Sequence, residues 1–375
     1  MLRNGPSLIF CPVPDRPNQS DGDAFRDDVR RIWDEFQRLE TSREFGNLEG
    51  GSVEQQRDRR LQLHHCANYA AVLSVLRDGH RLGTRSSPES GDSPREGTRP
   101  RSDATNASRM CPQRADARYS PRFPGMSRAP LRLLELGCGS GVLTSAFAQV
   151  MPDGWTIEAT DYSEHLLASA RERFERDGLS FSHLDARTIQ PERLVGVDAV
   201  LLLEVFEHLP EEEAEGLLRQ VYNALPAGGS MVLTTLDRAA FPRPFSGYAA
   251  HFVEYTYSSL AQFLGDRSPF EEFDVHRLVS DRIVSESVRS EERGGYLMNR
   301  LQWLMLSLGR RHAEFGALRG WAEARLFHLY SHLPERNGFD FDGYLATLDF
   351  IQAEPKQHDH DSFGLVAALR KTGRE

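Results

Sequence analysis

The chain has 375 residues, 39% of them hydrophobic, with 45 basic against 55 acidic side chains and a formal net charge of −10. That length exceeds one typical domain and suits a single elaborated α/β domain with additions. The acidic balance argues against general affinity for nucleic acid, which depends on concentrated positive charge.

From the N-terminus, Phe25, Val29, Ile32, Trp33, Phe36 and Leu39 recur at helical spacing and predict an amphipathic helix over 22–40. GNLEGGS at 46–52 interrupts it. A second helix is predicted over 53–77, ending in the apolar run YAAVLSVL. His64 and His65 fall within it, about 100° apart around the axis. At most one of them faces a cleft, and both are read as core or surface histidines. Residues 81–128 then change character, with ten arginines, five acids and no hydrophobic period. Such a stretch buries too little apolar area to offset its ordering entropy and is expected to be a disordered linker.

The core is expected over 129–280. Residues 131–141 read LRLLELGCGSG: a buried strand closed by Glu135, then Gly137, Gly139 and Gly141 at alternate positions, then a helix over 142–151. Glycine there lets the backbone take positive φ and lets a ligand approach closely. WTIEATD (155–161) repeats the pattern of a strand with a terminal acid, and Asp161 can accept two hydrogen bonds from ribose hydroxyls. Tyr162 is placed to lie along an adenine face. Further strands are read in LSFSHLDA (179–186), VDAVLLLEVFEHL (197–209) and LPAGGSMVLTTL (225–236). A helix over 210–225 opens with Glu211, Glu212 and Glu213, which suit the positive end of a helix dipole. Another spans 256–265, with Gly265 expected to end it, and strand six is read at 271–280.

The pattern ExGxGxG is not the GxGxxG of dinucleotide folds, because Val142 stands where the third glycine belongs. It resembles motif I of the class I S-adenosylmethionine-dependent methyltransferases, and the five strand units follow in that family's order. The resemblance implies a Rossmann-like α/β fold: a seven-stranded, mostly parallel sheet with helices on both faces. The last strand, at 362–371, returns antiparallel beside strand six. Residues 281–360 become a helical insertion, a substrate cap with apolar helices at 294–308 and 315–333, and 361–375 hold the last strand and tail. Residues 1–80 form an N-terminal helical segment. The implied cofactor is S-adenosyl-L-methionine, held by Glu135, Gly137, Gly139, Gly141, Asp161, Tyr162, Asp185, Ala186 and Glu204; Asp185 matches the family's acid near the adenine amino group.

Methyl transfer needs a positioned acceptor, exclusion of water and often removal of one proton. The candidates for catalysis are Glu204, Glu207 and His208, in EVFEHL, and His251, in HFVEYT. Two readings stay open. In quinone-type and small-molecule O-methyltransferases a similar EVxEH run lies beside the methyl group, with the histidine or a glutamate as base. In bacterial small-RNA 2′-O-methyltransferases an ExxEH motif and a later histidine hold a divalent metal, and HFVEYT resembles their HxFEWT run. The preferred expectation is a small-molecule acceptor with an oxygen or nitrogen nucleophile and no metal. A metal-dependent RNA 2′-O-methyltransferase and an inactive cofactor-binding regulator are the alternatives.

The four cysteines, Cys11, Cys66, Cys111 and Cys138, lack metal-site spacing and are read as reduced thiols. No stretch reads as a membrane span, since 296–309 is interrupted by Arg300, and the N-terminus lacks a signal-peptide pattern. A cytoplasmic protein that does not insert into membranes is expected.

Overall fold

The computed structural model describes residues 19–41, 59–78, 130–248, 250–292, 296–297, 300, 339–352 and 356–372. The stretch at 81–128 lies outside the described residues, as do most of the helices expected at 294–308 and 315–333.

Two helices come first, α1 (Gln19–Thr41) and α2 (Arg59–Asp78). The alternating core follows as β1 (Arg132–Leu136), α3 (Val142–Val150), β2 (Thr156–Asp161), α4 (Glu164–Phe174), β3 (Leu179–His183), β4 (Ala199–Leu203), α5 (Glu211–Ala224) and β5 (Ser230–Leu236). After these come α6 (Tyr257–Arg267), β6 (Glu272–Val279), α7 (Asp281–Ser290), α8 (Phe341–Leu345), β7 (Asp349–Ile351) and β8 (Ser362–Arg370). The sheet order is β3-β2-β1-β4-β5-β8-β6-β7. β1 to β5 pair in parallel, and β8 runs antiparallel between β5 and β6. The chain reverses its winding direction between β1 and β4. In open α/β sheets such a switch point opens a crevice beyond the carboxyl ends of the strands.

The sheet has eight strands rather than the expected seven. The extra one, β7, is three residues long and pairs antiparallel with Arg277–Val279 at the edge. So short a run has no readable period. α1 covers this edge: Arg26 donates to Leu348 O at 3.0 Å and to Asp349 Oδ1 at 3.1 Å. Helix α6 also departs from expectation, since it passes through Gly265 and stops at Arg267. Ser268, which follows, precedes Pro269, and the proline ring disfavours helical dihedrals there.

Strand alternation sorts the core into two layers. Leu133 faces α1, α2, α3 and α4, whereas Leu134 and Leu136 face α5 and α6. The two N-terminal helices share one hydrophobic cluster with the sheet: Val29, Ile32, Leu63 and Leu73 are fully buried in it beside Phe147 of α3 and Val366 of β8. Glu135, between Leu134 and Leu136, therefore points beneath α2 and α3 rather than into solvent.

Candidate active site at the carboxyl ends of β1 and β4

The glycine turn after β1 is built as its sequence requires. Gly137, Gly139 and Gly141 have φ of 85°, 57° and 73°, the left-handed region. A Cβ on Gly137 would lie 2.6 Å from Val205 Cγ2, and one on Gly141 2.4 Å from Phe181 Cε1. Those two glycines are packing requirements. A Cβ on Gly139 would meet nothing within 4 Å, so its backbone faces the open crevice. Cys138, inside the turn, is a free thiol whose pKa burial pushes up.

Three acids and two of their neighbours follow from this turn and the adjoining strands. Asp161 is buried at the end of β2; its carboxylate accepts from Gly139 N and Ser163 N, each at 2.9 Å. It thus ties the second strand to the glycine turn. Tyr162 next to it is 74% exposed, an aromatic face left at the crevice rim. Asp185 sits beyond β3 in a two-pronged pair with Arg187, whose hydrogen bonds hold its carboxyl below the usual carboxylate range. Ala186 packs beside it against the α5 layer. Glu135 is fully buried: Tyr69 of α2 donates to its Oε1 at 2.5 Å, and its Oε2 is without a partner among the described residues. Burial pushes its carboxyl up to about 7.

Beyond β4 the backbone turns sharply at Glu204, φ 54°. Its Oε1 accepts from Asn68 Nδ2 of α2 at 3.0 Å and from Thr234 Oγ1 of β5 at 3.1 Å. His64 of α2 is buried, with Nε2 3.8 Å from the same oxygen, and burial lowers its pKa to about 4. The histidine read as an ordinary core residue therefore lies against the site.

Phe206 buries into the layer of α5 and α6, 5.6 Å from the rings of Tyr255 and Phe263. That anchor places Glu207 and His208 on the short turn 206–208 at the crevice. Glu207 is 1% exposed and accepts from Thr235 Oγ1 at 3.0 Å. Burial and the neighbouring Glu204 carboxylate push its own carboxyl well above the usual range. The Glu207 carbonyl accepts from Phe252 N at 2.8 Å, which docks the segment carrying His251 beside it.

One ligand atom from each of Glu207, His208 and His251 can lie within 4.8 Å of the other two. Glu204 stands outside that set, turned toward Asn68 and Thr234. Both imidazoles are fixed at Nδ1, by Ala250 O for His208 (3.0 Å) and by Glu254 Oε1 for His251 (2.6 Å). With Nδ1–H donating, each ring keeps a lone pair on Nε2. Glu254 is itself fully buried, bonded by Ser246 and 3.2 Å from Arg238 Nε.

A family model described as a methyltransferase domain matches residues 134–231, from β1 into β5. A ubiquinone biosynthesis O-methyltransferase of Caulobacter sp. (strain K31) is 32% identical over 134 residues, covering 34% of this chain and 51% of that protein. Its namesake in Methylocella silvestris is 33% identical over 140 residues, covering 36% of this chain and 50% of that protein. This core is a class I S-adenosylmethionine-dependent methyltransferase domain. The chain spans about half the length of the curated relatives it matches. Among solved structures, the [4+2]-cyclase SpnF aligns at 19% identity over 65% of this chain and 77% of that one, with a TM-score of 0.39.

The methyltransferase domain fits its cofactor on its own geometry. The open backbone at Gly139, the buried acceptor Glu135 Oε2 without a partner among the described residues and the exposed ring of Tyr162 all lie around the turn after β1. They offer in turn close backbone approach, an acceptor for an ammonium and a face for a flat base. Sequence reasoning missed Asn68, Tyr69, Thr234, Thr235, Glu254 and Arg238. Glu254 had a signal, lying three residues after His251 in the quoted HFVEYT run; Asn68 and Tyr69 had none.

Proposed function

We propose that the chain transfers a methyl group from S-adenosylmethionine to an oxygen or nitrogen nucleophile on a small molecule. The observation that carries this reading is the pair of Nδ1-anchored imidazoles beside a buried carboxyl, at the strand end next to the cofactor crevice. The cofactor, when bound, supplies an electrophilic methyl on a sulfonium and departs as a neutral thioether. The protein's part is to hold the acceptor in line and take its proton. His208 suits that task, because burial lowers its pKa and keeps its Nε2 unprotonated near neutral pH. His251, braced by Glu254, is the second acceptor of a proton at the same place. The relatives' O-methyltransferase name favours an oxygen acceptor. Incubating the chain with methyl-labelled cofactor and a panel of phenols, catechols and amines tests this. Label transfer that persists in chelator and is lost in His208→Ala supports it; a folded, cofactor-binding protein that labels nothing on the panel counts against it.

A second reading has its own observation. One carboxylate and two imidazoles, each fixed through Nδ1 by an outer oxygen, also match a site for a transition-metal dication rather than magnesium. Glu207, His208 and His251 would hold the ion, and it would polarise the acceptor. Elemental analysis of untagged protein separates the two readings. One equivalent of manganese, iron, cobalt or zinc, lost in His251→Ala with cofactor affinity retained, would replace the base mechanism by the metal one.

A further inference from the structure

Helix α2 lies outside the region shared with the family model, yet its side chains His64, Asn68 and Tyr69 reach the site. Tyr69 Oη bridges Glu135 Oε1, at 2.5 Å, and Thr144 Oγ1, at 3.2 Å, joining α2 to β1 and α3. One residue earlier, Asn68 Nδ2 donates to Glu204 Oε1 at 3.0 Å. One turn earlier again, His64 sits against that same oxygen. Neighbouring residues of one helix thus hold the two acids that end β1 and β4, the strands flanking the switch point. The atoms left over, Glu135 Oε2 and Asn68 Oδ1, are buried acceptors without partners among the described residues. Unsatisfied buried acceptors are costly, and a cationic group with several N–H donors is what satisfies them.

We propose that α2 is part of the cofactor site, with Tyr69 and Asn68 as positioning residues that hold Glu135 and Glu204 to receive the cofactor's ammonium end. The proposal rests on the methyltransferase reading above. Helix packing alone does not require these contacts. An α2 that only covered the sheet would carry apolar side chains over Glu135, as it does with Leu73 and Leu76 elsewhere on the same helix. The groups that face Glu135 are Tyr69 from α2, Thr144 from α3, Cys138 from the glycine turn and Asp161 from the end of β2. Of these, the Tyr69 and Thr144 hydroxyls lower the Glu135 pKa by hydrogen bonding to the carboxylate, whereas Asp161 raises it. An ammonium binds the ionised form, so affinity rises as the pH climbs through the Glu135 titration, which burial has moved up to about 7.

The test is calorimetric titration of the full chain with S-adenosylhomocysteine between about pH 6 and 9, on wild type, Tyr69→Phe, Asn68→Leu and Leu73→Ala. Tyr69→Phe keeps the ring and removes only the donor. It is expected to weaken binding about tenfold at pH 7, the scale of one hydrogen bond to a charged group, and to move the midpoint of the affinity profile upward. The ligand's own titration is common to all four proteins and cancels in the comparison. Asn68→Leu is expected to weaken binding severalfold. Leu73→Ala, a packing change on the same helix, should lower the melting temperature and leave the midpoint in place. Either polar variant binding as tightly as wild type with an unchanged profile would overturn the proposal. Failure of the folded wild type to bind at any pH would instead overturn the methyltransferase reading beneath it.

Discussion

At the scale of single residues, the three glycines of the turn have different jobs despite identical spacing. Gly141→Ala would press a methyl into the Phe181 ring at 2.4 Å while holding φ at 73°. Overlap and left-handed strain together cost about 2–5 kcal/mol, so its melting temperature is expected to fall by many degrees. Gly139→Ala meets no neighbour and pays only for its dihedral, about 1 kcal/mol. Its melting temperature should stay within a few degrees of wild type while affinity for S-adenosylhomocysteine drops, because the new methyl occupies the open face of the turn. Scanning calorimetry and titration calorimetry on the two variants check the contrast. Glu135 gives a second prediction, with a definite sign. Its carboxyl is raised from 4.5 to about 7, so its contribution is intact below the unfolded value and is lost as pH rises through about 7. The loss amounts to about 3 kcal/mol at full ionisation, on the scale of 1.36 kcal/mol per pKa unit. Glu135→Gln, which keeps the shape without the charge, is therefore expected to raise the melting temperature of the cofactor-free protein at pH 8 more than at pH 5. It should also weaken cofactor binding. A variant equally stabilised or destabilised at both pH values would contradict the buried titration.

At the scale of elements, the proposed acceptor side is made by one turn docked on another. The carbonyl of Glu207 accepts from Phe252 N, and Tyr255 anchors the second segment against Phe206. His251 reaches the site because of that docking, and Glu254 then fixes its ring. Glu254→Gln is expected to lower turnover by about ten- to hundredfold, the usual cost of losing an outer partner of a working imidazole. Cofactor affinity, measured by titration, should be unchanged. The strands and their order were legible in the sequence because β1, β4 and β5 are buried on both faces and read as near-continuous apolar runs. The Glu207, His208 and His251 cluster was legible through its residue types and its two short motifs. Glu204, grouped with them on the same motif, bears on the Glu207 carboxyl while its Oε1 accepts from Asn68 of α2 and Thr234 of β5. β7 was missed because three residues carry no period. The end of α6 was misplaced because Pro269 outweighed Gly265. Tyr69 and Asn68 could not be found at all: they sit within an apolar helix, and their partners lie more than sixty residues away in the chain.

At the scale of the whole molecule, α1 and α2 complete one face of an α/β sheet, and α2 also contacts Glu135 and Glu204. Phe25, Val29, Ile32, Leu63, Val72 and Leu73 are all buried in the cluster they share with α3 and the sheet. Each such side chain contributes roughly 1.5–3 kcal/mol of apolar burial, so together they are of the same size as a domain's whole net stability of about 5–15 kcal/mol. A chain beginning at residue 130 is accordingly expected to aggregate or lose its fixed aromatic environment, visible in near-ultraviolet circular dichroism. Among the described residues no helix is long and apolar enough to cross a membrane. The proposed seat of S-adenosylmethionine is the crevice beyond β1 and β4. The most direct measurement is calorimetric titration of the intact chain with S-adenosylhomocysteine at about pH 8. One-to-one binding in the micromolar range and a matching rise in melting temperature are expected; a folded protein showing neither heat nor stabilisation at millimolar ligand would rule this seat out.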